Sequence, residues 1–523
     1  MAQLEIDGEK ICTTDASWDY LDGPVVSAEI YNGEIFDTTL NDTAWSTAEA
    51  PVEVAGKAEE IQYTTARLIA PDVAPIRRIL EIKPKEIITT PEGKKILDKG
   101  DEVVIRHAEV LEHGELGTRP LRTAKAQNIV KLGGKTKGYK PRFSWFGFRY
   151  AEITGYDDLS LLDFVAVAIS TDLRQTGTFD CSHEMIKKLH ENTIWSTRDN
   201  FVSVPTDCPQ RDERLGWTGD IQVFAPTANY LFDTTAFLSN WLQDLEADQP
   251  RPMAIWADCS VITPWDLYTS FGDKQILQRQ WGSMRMWLDT GLPRNKQGFY
   301  STETPQYGDW LDPRSPPQLP GHSPTDPYLV ANAYLIYTTR LAARIGHILG
   351  HTKQAATDER DANRLTEAFR TEYIAQSGRL LSILTRYANG TINPGQMTSF
   401  NHYALGSVCA FLHKTIGGLS PLLPGWKKAL VSPKPGGTIR HATTSFDSPY
   451  GPYAVSWKLE DTKLKVSVKV PPNGEAEVVL KNVHETVGSG EHTFEDEWEE
   501  DNTWPLEAIQ GAQGNVVEAH FVP

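Results

Sequence analysis

The sequence lacks the features that mark several common classes of protein. Its 523 residues contain no run of 18 or more apolar residues, so no membrane-spanning helix is predicted. Cysteine is scarce, and its five positions are Cys12, Cys181, Cys208, Cys259 and Cys409. Because the number is odd and no C-x-x-C pair occurs, we expect buried, reduced thiols rather than a disulfide framework or a zinc site.

Basic residues are in the minority, with 51 lysines and arginines against 69 aspartates and glutamates and a net charge of −18. A surface this acidic repels phosphate backbones and anionic lipids, so neither nucleic acid nor a membrane is an expected partner. Neutral sugars are compatible with the charge, although acidity that serves only solubility explains it equally well. The first ten residues lack a basic segment followed by an apolar one, which predicts a cytoplasmic protein or a fragment whose start lies upstream.

Four common catalytic and binding motifs are missing as well. The sequence has no G-x-x-x-x-G-K-[ST], G-x-G-x-x-G, H-E-x-x-H or G-x-S-x-G segment. The usual markers of phosphate cradling, dinucleotide binding, zinc-dependent proteolysis and serine hydrolase chemistry are therefore absent. We expect no cofactor and no metal.

The periodicity of the sequence changes twice along the chain. Short β-like runs such as Glu102–Ile105 and Phe164–Ile169 fill about residues 1–173. Near residue 180 a helical period begins. Ser182 is a candidate cap for a helix whose predicted apolar stripe is Ile186, Leu189, Ile194 and Trp195. Helical stretches are predicted at about 182–200, 221–247, 265–289, 326–350, 353–376 and 397–416.

Beyond about residue 427 the period returns to two. Apolar and polar residues alternate over Leu464–Val470, which predicts a half-buried strand. The turn Pro471–Gly474 then leads into a second predicted strand, Glu475–Leu480. The order along the chain is therefore β, then α, then β.

The densest group of chemically active side chains lies in segment 205–220, which reads PTDCPQRDERLGWTGD. Its charged and aromatic residues are Asp207, Arg211, Asp212, Glu213, Arg214, Trp217 and Asp220. Prolines and glycines forbid a continuous helix, so we expect a loop at the rim of a helical hairpin. Glycosidic cleavage needs two carboxyl groups, and crowding of carboxylates raises the pKa of one of them. The alternative is a salt-bridged surface turn.

The pattern D-C-P-Q-R-D-E-R-x-G-W-x-G-D resembles the signature of the bacterial-type α-L-rhamnosidase family, and the residues after it include F-A-P-T-A and W-L-x-D-L. Shorter similarities extend the resemblance over about residues 20–520. They are Arg106–Glu112, Leu121-Arg122, Gly147–Tyr150, Ala254–Asp258, Pro264-Trp265, Gly308–Trp310, Asn393–Gln396 and Ser399–Tyr403.

The resemblance implies an (α/α)6 toroid flanked by β-sandwich domains. It also implies hydrolysis, with inversion, of terminal α-L-rhamnose on rhamnosylated small molecules or oligosaccharides. Glu213 matches the general acid. Positions that match rhamnose-holding residues are Asp207, Arg211, Trp217, Asp220, Trp310 and His402. The last two fit ordinary core positions equally well.

We expect four domains. They are an N-terminal β-rich fragment at 1–65, a β-sandwich at 66–173, the helical catalytic domain at 174–425 and a C-terminal β-sandwich at 426–523.

The chain departs from the family at the general base. Where the family has a glutamate in a W-E-R-W-like segment, residues 378–387 read GRLLSILTRY. No aspartate or glutamate lies between Glu372 and Asp447. An inverting enzyme needs a second carboxylate about 6.5–9.5 Å from the acid, and the nearest substitutes by motif are Asp258 and Asp309.

Abrupt joins near residues 97–99, 248–251 and 378–381 indicate missing segments. We therefore expect an incomplete toroid with exposed apolar surface near 376–400; a shortened natural variant with a remodelled site is the alternative. Two other functions stay open at this point. One is a non-catalytic descendant that binds rhamnosides, and the other is a different (α/α)-toroid enzyme, such as a phosphorylase or a lyase.

Overall fold

The computed structural model describes residues 3–6, 9–13, 15–20, 22–40, 56–57, 73–88, 102–133, 138–156, 160–248, 252–310, 323, 325–374 and 400–499. These residues form two compact units. Unit 1 holds the described residues of Met1–Ser170, Thr206–Leu215 and Ala388–His402, and unit 2 holds those of Thr171–Pro205, Gly216–Tyr387 and Tyr403–Pro523. No helix in the described ranges is long and apolar enough to cross a membrane.

Unit 1 is built from short strands, as its alternating sequence predicts. The strands are β1 (Gln3–Ile6), β2 (Glu9–Thr13), β3 (Asp19–Tyr20), β4 (Val25–Glu29), β5 (Gly33–Asp37), β6 (Gly56–Lys57), β7 (Ile76–Ile82), β8 (Glu102–Ala108), β9 (Leu111–Glu112), β10 (Glu115–Leu116), β11 (Gln127–Lys131), β12 (Tyr150–Thr154) and β13 (Ala166–Thr171). The largest sheet has the order β12-β8-β11-β5-β4, in which β11 is parallel to β5 and antiparallel to β8. The two strands predicted from the sequence are confirmed as β8 and β13.

The helices of unit 2 are more numerous than predicted. Those of 13 or more residues among its described residues are α1 (Glu184–Asn200), α2 (Thr218–Leu231), α3 (Thr235–Asp248), α4 (Cys259–Phe271), α5 (Lys274–Thr290), α6 (Pro327–Leu349) and α7 (Thr352–Tyr373). Two stretches predicted as single helices, 221–247 and 265–289, are each divided into a pair, so the predicted number of helices is wrong.

Local capping explains both divisions. Asp233 Oδ1 accepts the backbone N–H of Thr235 at 3.3 Å, which starts α3 just after α2 ends. Gly272 adopts φ +76° and ends α4, and Asp273 Oδ1 then accepts the N–H of Gln275 at 2.8 Å to start α5. Apolar periodicity continues through both breaks, so the pattern alone merges each pair.

The last predicted helix, 397–416, is irregular. Its described part contains a 3-10 turn (Tyr403–Ser407), the short α8 (Val408–Phe411) and a π-helical turn (Leu412–Ile416). Residues 397–399 lie outside the described residues. So does nearly all of the 376–400 region in which we expect exposed apolar surface, and that expectation stays a prediction.

Unit 2 also contains the C-terminal strands. Three earlier strands of unit 2 are β14 (Gly177–Cys181), β15 (Phe201–Val202) and β16 (Val204–Pro205). The C-terminal strands are β17 (Leu419–Pro421), β18 (Lys428–Val431), β19 (His441–Ser448), β20 (Gly451–Glu460), β21 (Lys463–Val470), β22 (Glu475–Val479), β23 (His484–Val487) and β24 (Gly490–Glu497). Two sheets have the orders β14-β19-β20-β21-β24 and β17-β18-β22-β23. The two predicted strands are confirmed as β21 and β22, and the turn between them is closed by the Gly474 N–H to Pro471 O bond of 3.1 Å.

Helix α1 packs differently from the prediction. Ser182 does not cap it, because Ser182 Oγ accepts the N–H of Arg440 at 2.8 Å, and His183 occupies the N-cap without a side-chain bond. The buried face of α1 is polar and includes His190 and Thr193, whereas Leu189 is 40% exposed. Contacts with residues distant in sequence determine which side of α1 is buried, so the apolar periodicity of α1 does not predict it.

A buried histidine pair joins α1 to the C-terminal region. His190 Nε2 lies 3.0 Å from His413 Nε2, and His413 Nδ1 lies 2.8 Å from Thr444 Oγ1 on β19. Burial lowers the pKa of His190 to about 4 and the pKa of His413 well below its ordinary value. Both rings are therefore neutral near pH 7, and one facing nitrogen donates to the other.

This pair predicts acid sensitivity. In the unfolded chain the rings return to an ordinary pKa of about 6.5, so below that pH the unfolded state binds more protons than the folded state. Stability contributed by His190 should fall as the pH drops from about 6.5 to about 4, at roughly 1.4 kcal/mol per pH unit. Denaturant unfolding at several pH values should show a smaller slope for His190→Gln than for the parent chain. An exposed control, His441→Gln, should keep the parent slope; equal slopes for all three proteins would contradict the assignment.

Candidate active site

Residues 206–217 form a loop, the rim loop, between β16 and α2, so the loop predicted for 205–220 is confirmed except at its two ends, which belong to β16 and to the first turn of α2. Residues up to Leu215 belong to unit 1, and residues from Gly216 onward belong to unit 2. Unit 1 therefore holds Asp207, Arg211 and Glu213, together with His402, and unit 2 holds Trp217, Asp220 and Trp310.

Arg211 is the centre of the group in unit 1. Its side chain is only 3% exposed, and its Nη2 contacts Glu213 Oε2 directly and lies 3.8 Å from Asp207 Oδ2. Nε and Nη1 of the same guanidinium are buried and make no hydrogen bond to a described residue. A buried cation with donors left over suits the binding of a polar ligand, because unpaired buried donors are costly in the absence of one.

Asp207 is held by the loop itself. Its Oδ1 accepts the N–H of Leu215 at 3.3 Å, and its own N–H donates to Leu215 O at 3.1 Å. Burial, with the nearby Glu213 carboxylate as a second cause, raises the pKa of Asp207 to about 6. A carboxyl with this pKa changes its protonation state in weakly acidic solution, where many glycosidic acids act.

Arg122, from unit 1, reaches the same group. Its Nη1 lies 3.1 Å from Glu213 Oε2, and its Nε lies 3.1 Å from Asp212 Oδ1. The network thus contains three carboxyl groups, Asp207, Asp212 and Glu213, and two guanidinium groups. With every group ionised the network carries one net negative charge, which agrees with the raised pKa of the buried Asp207.

Arg214 has a structural role rather than a role in sugar binding. Its guanidinium donates to the backbone carbonyls of Ile30, Trp145 and Gln210 and packs over three aromatic rings of unit 1. Burial lowers the pKa of Arg214 to about 10, so it remains charged at neutral pH. Because backbone carbonyls engage the Arg214 guanidinium, Arg211 is the arginine of this loop that is better placed to bind a ligand.

His402 lies near Arg211 in unit 1. Burial, and then the positive charge of Arg211, lower the pKa of His402 to about 4. The ring is neutral near pH 7 and can both donate and accept a hydrogen bond to a hydroxyl group. The nearby charge of Arg211 distinguishes this position from that of a histidine in an apolar core.

A metal could in principle use donor atoms of Asp207, Cys208 and Glu213, which lie within 4.8 Å of one another. Arg211 already contacts both carboxylates from the positively charged side. Burial also holds the pKa of the Cys208 thiol well above its ordinary value, and a neutral thiol is a poor ligand. The arrangement fits an ion-pair network better than a metal site.

In unit 2, the start of α2 presents two of the predicted residues. Trp217 is the N-cap residue, and Asp220 lies in the first turn, where the helix dipole favours a carboxylate. Between them, Gly219 packs on Trp256; an added Cβ would lie 3.0 Å from its indole Nε1, closer than side chains normally pack. Glycine at this position lets the first turn of α2 approach the indole.

Trp310 belongs to an aromatic group in unit 2 formed by Trp256, Tyr307 and Trp310. The ring centroids of Trp256 and Tyr307 are 4.8 Å apart, as are those of Tyr307 and Trp310. All three rings are partly exposed, so the group offers apolar faces of the kind on which a pyranose stacks. Trp256 and Tyr307 were not predicted as site residues, although Trp256 stands in the family-like segment Ala254–Asp258.

Asp258 is poorly suited to act as a general base. It is fully buried, its Oδ1 accepts the Trp287 indole N–H at 2.7 Å, and its Oδ2 accepts the Ile255 N–H at 2.7 Å. Ile255 has φ +72°, an unusual value for a β-branched residue, and the carboxylate stabilises that backbone. The other substitute, Asp309, is exposed, with Thr325 Oγ1 at 3.4 Å from its Oδ2. Residues 378–387 lie outside the described residues.

Four of the five cysteines have described side chains, and Cys181, Cys208, Cys259 and Cys409 are all free and buried, as expected. The side chain of Cys12 lies outside the described part of the chain.

Comparison with known domains gives a consistent pattern along the chain. Residues 1–80 match the α-L-rhamnosidase N-terminal domain, 86–170 match the bacterial α-L-rhamnosidase concanavalin-like domain, 174–392 match its six-hairpin glycosidase domain and 418–495 match its C-terminal domain. These four matches describe a protein built on a six-hairpin glycosidase domain, with sheet domains before and after it in the sequence.

Similarity to solved structures identifies the family. The α-L-rhamnosidase of Aspergillus terreus is 34% identical, with a TM-score of 0.86 over 94% of this chain and 72% of that one. The Streptomyces avermitilis α-L-rhamnosidase complexed with L-rhamnose is 27% identical, with a TM-score of 0.81 over 93% of this chain and 60% of that one. This chain belongs to the bacterial α-L-rhamnosidase family.

The chain is shorter than its curated relatives. It is 29% identical to an α-L-rhamnosidase of Streptomyces avermitilis, over 94% of this chain and 61% of the relative. That alignment runs over 651 residues, more than the 523 of the whole chain, so segments inside the aligned part of the relative have no counterpart here. Missing internal segments and a shortened natural variant both agree with this difference.

Proposed function

We propose that this chain binds terminal α-L-rhamnosyl groups of small molecules or oligosaccharides and that Glu213 is the general acid of their hydrolysis. The observation that carries the proposal is the ion-pair network of unit 1, in which Arg122 and Arg211 hold Glu213 beside the buried Asp207. Rhamnose-holding roles are proposed for Asp207, Arg211, Trp217, Asp220, Trp310 and His402.

The proposed chemistry is a single displacement with inversion. The protonated Glu213 gives its proton to the glycosidic oxygen as the bond from that oxygen to C1 breaks, and water attacks C1 from the opposite face. Water must lose a proton in the same step, and Glu213 cannot accept it because it lies on the leaving-group side. Because no acidic residue occurs between Glu372 and Asp447, we propose that hydrolysis is slow.

The same absence favours a second candidate, a descendant that binds rhamnosides without hydrolysing them. Both candidates share the rhamnose site and differ only in turnover. We further propose the four domains expected from the sequence, and a reducing, cytoplasmic location, which the free buried thiols support.

Asp207→Asn tests the binding proposal. The amide keeps the shape of the side chain but replaces one of the two carboxylate oxygens that would accept hydrogen bonds from sugar hydroxyl groups. The affinity for L-rhamnose should therefore fall about tenfold or more. Isothermal titration calorimetry of the parent, Asp207→Asn and the exposed control Asp447→Asn measures this. Equal affinity in all three proteins, or no rhamnose binding by the parent chain, would refute the proposed site.

A further inference from the structure

Glu213 is contacted asymmetrically. Both guanidinium groups that reach it, Arg122 Nη1 at 3.1 Å and Arg211 Nη2, contact the same oxygen, Oε2. Oε1 makes no hydrogen bond to any residue of the described part of the chain. The side chain of Glu213 is 16% exposed, so its carboxyl group retains access to a ligand.

The backbone of Arg122 is fixed in an uncommon conformation. Its φ of +60° with ψ of −113° is unfavourable for a residue with a Cβ, and its N–H donates to Arg119 O at 3.2 Å. The neighbouring Leu121 and Ala124 are buried in the small core of unit 1. The loop is therefore anchored on both sides of Arg122, and its strained conformation is maintained by packing.

A second contact holds the Arg122 guanidinium in place. Asp212 Oδ1 lies 3.1 Å from Arg122 Nε, while Asp212 Oδ2 accepts the backbone N–H of Thr123 at 3.2 Å and also the Thr123 hydroxyl. Arg122 thus bridges two adjacent carboxylates of the rim loop. The planar guanidinium fixes the distance and angle between them, which a flexible ammonium group could not do.

We propose that Arg122 is a positioning residue for the general acid: together with Arg211 it occupies Oε2 of Glu213, so that only Oε1 carries and delivers the proton. This inference rests on the proposed function of Glu213. Two cationic donors facing Oε2 leave no room for a proton there, whereas Oε1 is open. Among the described residues, loss of Arg122 leaves Arg211 as the only cation in contact with Glu213, and it frees the carboxyl group to rotate.

Loss of Arg122 is expected to impair delivery of the proton from Glu213. The size of the rate loss should therefore depend on how much the leaving group needs that proton. A 2,4-dinitrophenolate leaves without a proton, whereas a phenolate requires one in the transition state. Azide supplied as the nucleophile removes the need for a general base. In the reaction, azide forms a bond to C1, the C1–O bond breaks with its electron pair going to oxygen, and that oxygen takes the Oε1 proton.

The experiment measures kcat/KM for dinitrophenyl and phenyl α-L-rhamnosides in azide for the parent, Arg122→Gln, Arg122→Lys and Arg119→Gln. Arg119 is the matched control, since it pairs with Glu112 at 2.6 Å in the same loop and no described contact joins it to Glu213. Arg122→Gln should lower the phenyl rate about tenfold or more while the dinitrophenyl rate and the L-rhamnose affinity change less than about threefold. Arg122→Lys should recover only part of the loss.

Each other result has a distinct meaning. Equal losses on both substrates, no loss on either, or an Arg119→Gln protein that behaves like Arg122→Gln would overturn the positioning role. A parent chain that neither binds L-rhamnose nor reacts with azide would overturn the proposed function itself, and the inference with it. If the Arg122→Gln protein fails to fold, Arg122→Lys provides the test. A ratio of phenyl to dinitrophenyl rates equal to that of the parent chain would then also refute the positioning role.

Discussion

Replacing Arg214 with alanine is expected to destabilise unit 1 by about 3–5 kcal/mol, the range measured when one partner of a buried charged group is removed. Arg214 is 2% exposed, and its guanidinium donates to three backbone carbonyls, those of Ile30, Trp145 and Gln210. Alanine would leave these acceptors buried without donors and would also remove the contact with the Trp145 ring, whose centroid lies 5.0 Å from the Arg214 Cζ.

Thermal and urea unfolding of three variants measures this effect. Arg214→Lys keeps the charge but loses the planar fork, so its loss should be intermediate. Arg174→Ala removes an arginine that is 58% exposed and pairs with Asp233 and Asp447, and it should cost less than about 1 kcal/mol. If Arg214→Ala were no less stable than Arg174→Ala, the structural role of Arg214 would be wrong.

The second large effect concerns the nucleophile. If the chain lacks a general base, azide should accelerate cleavage of an aryl α-L-rhamnoside by about 10²–10⁴-fold, because an anion needs no deprotonation before it attacks C1. The product should be the β-configured rhamnosyl azide, since attack occurs opposite the leaving group. Chromatography and proton NMR of the product measure both rate and configuration.

The control for this reaction is Glu213→Gln. Proton donation by Glu213 is still required for a phenyl leaving group in azide, so this variant should lose the azide-dependent reaction. Asp309→Asn should behave like the parent chain if that exposed carboxylate takes no part. A parent chain that ignores azide but hydrolyses the substrate rapidly would show that a base is present.

The rim loop could be predicted from sequence because its information is local. Prolines and glycines exclude a helix over 205–217, and the spacing of Asp207, Arg211 and Glu213 is a long and specific pattern. The β21 and β22 strands were predictable for the same reason, since a period of two with a Pro471–Gly474 turn leaves few alternatives.

Features that depend on distant residues could not be predicted in this way. Arg122 is 91 residues from Glu213, and its contact follows from the packing of unit 1 rather than from any spacing. The buried polar face of α1 depends on His413, 223 residues from His190. The break at Gly272-Asp273 carried recognisable glycine and aspartate signals, but the continuing apolar pattern outweighed them.

The aromatic group of unit 2 could be predicted from the sequence only in part. Trp310 was predicted from a short family-like segment. Its neighbour Trp256 also lies in such a segment, Ala254–Asp258, but nothing in that segment marks it as a site residue, and Tyr307 carries no pattern that distinguishes it from a core aromatic. Gly219 is the one local clue, because a glycine in the first turn of a helix suggests close approach of another group. Which group approaches is visible only in the fold.

Steady-state hydrolysis of an aryl α-L-rhamnoside in water, by the parent chain and by Glu213→Gln, shows whether this chain has a general base. We expect both proteins to bind L-rhamnose, and we expect a parent turnover about 10²–10⁴-fold below the usual enzymatic range of roughly 1–10³ s⁻¹. Whatever turnover the parent retains should fall further in Glu213→Gln. A parent turnover within the usual range, abolished by Glu213→Gln, would contradict the claim that this chain has the acid of an inverting rhamnosidase without its base.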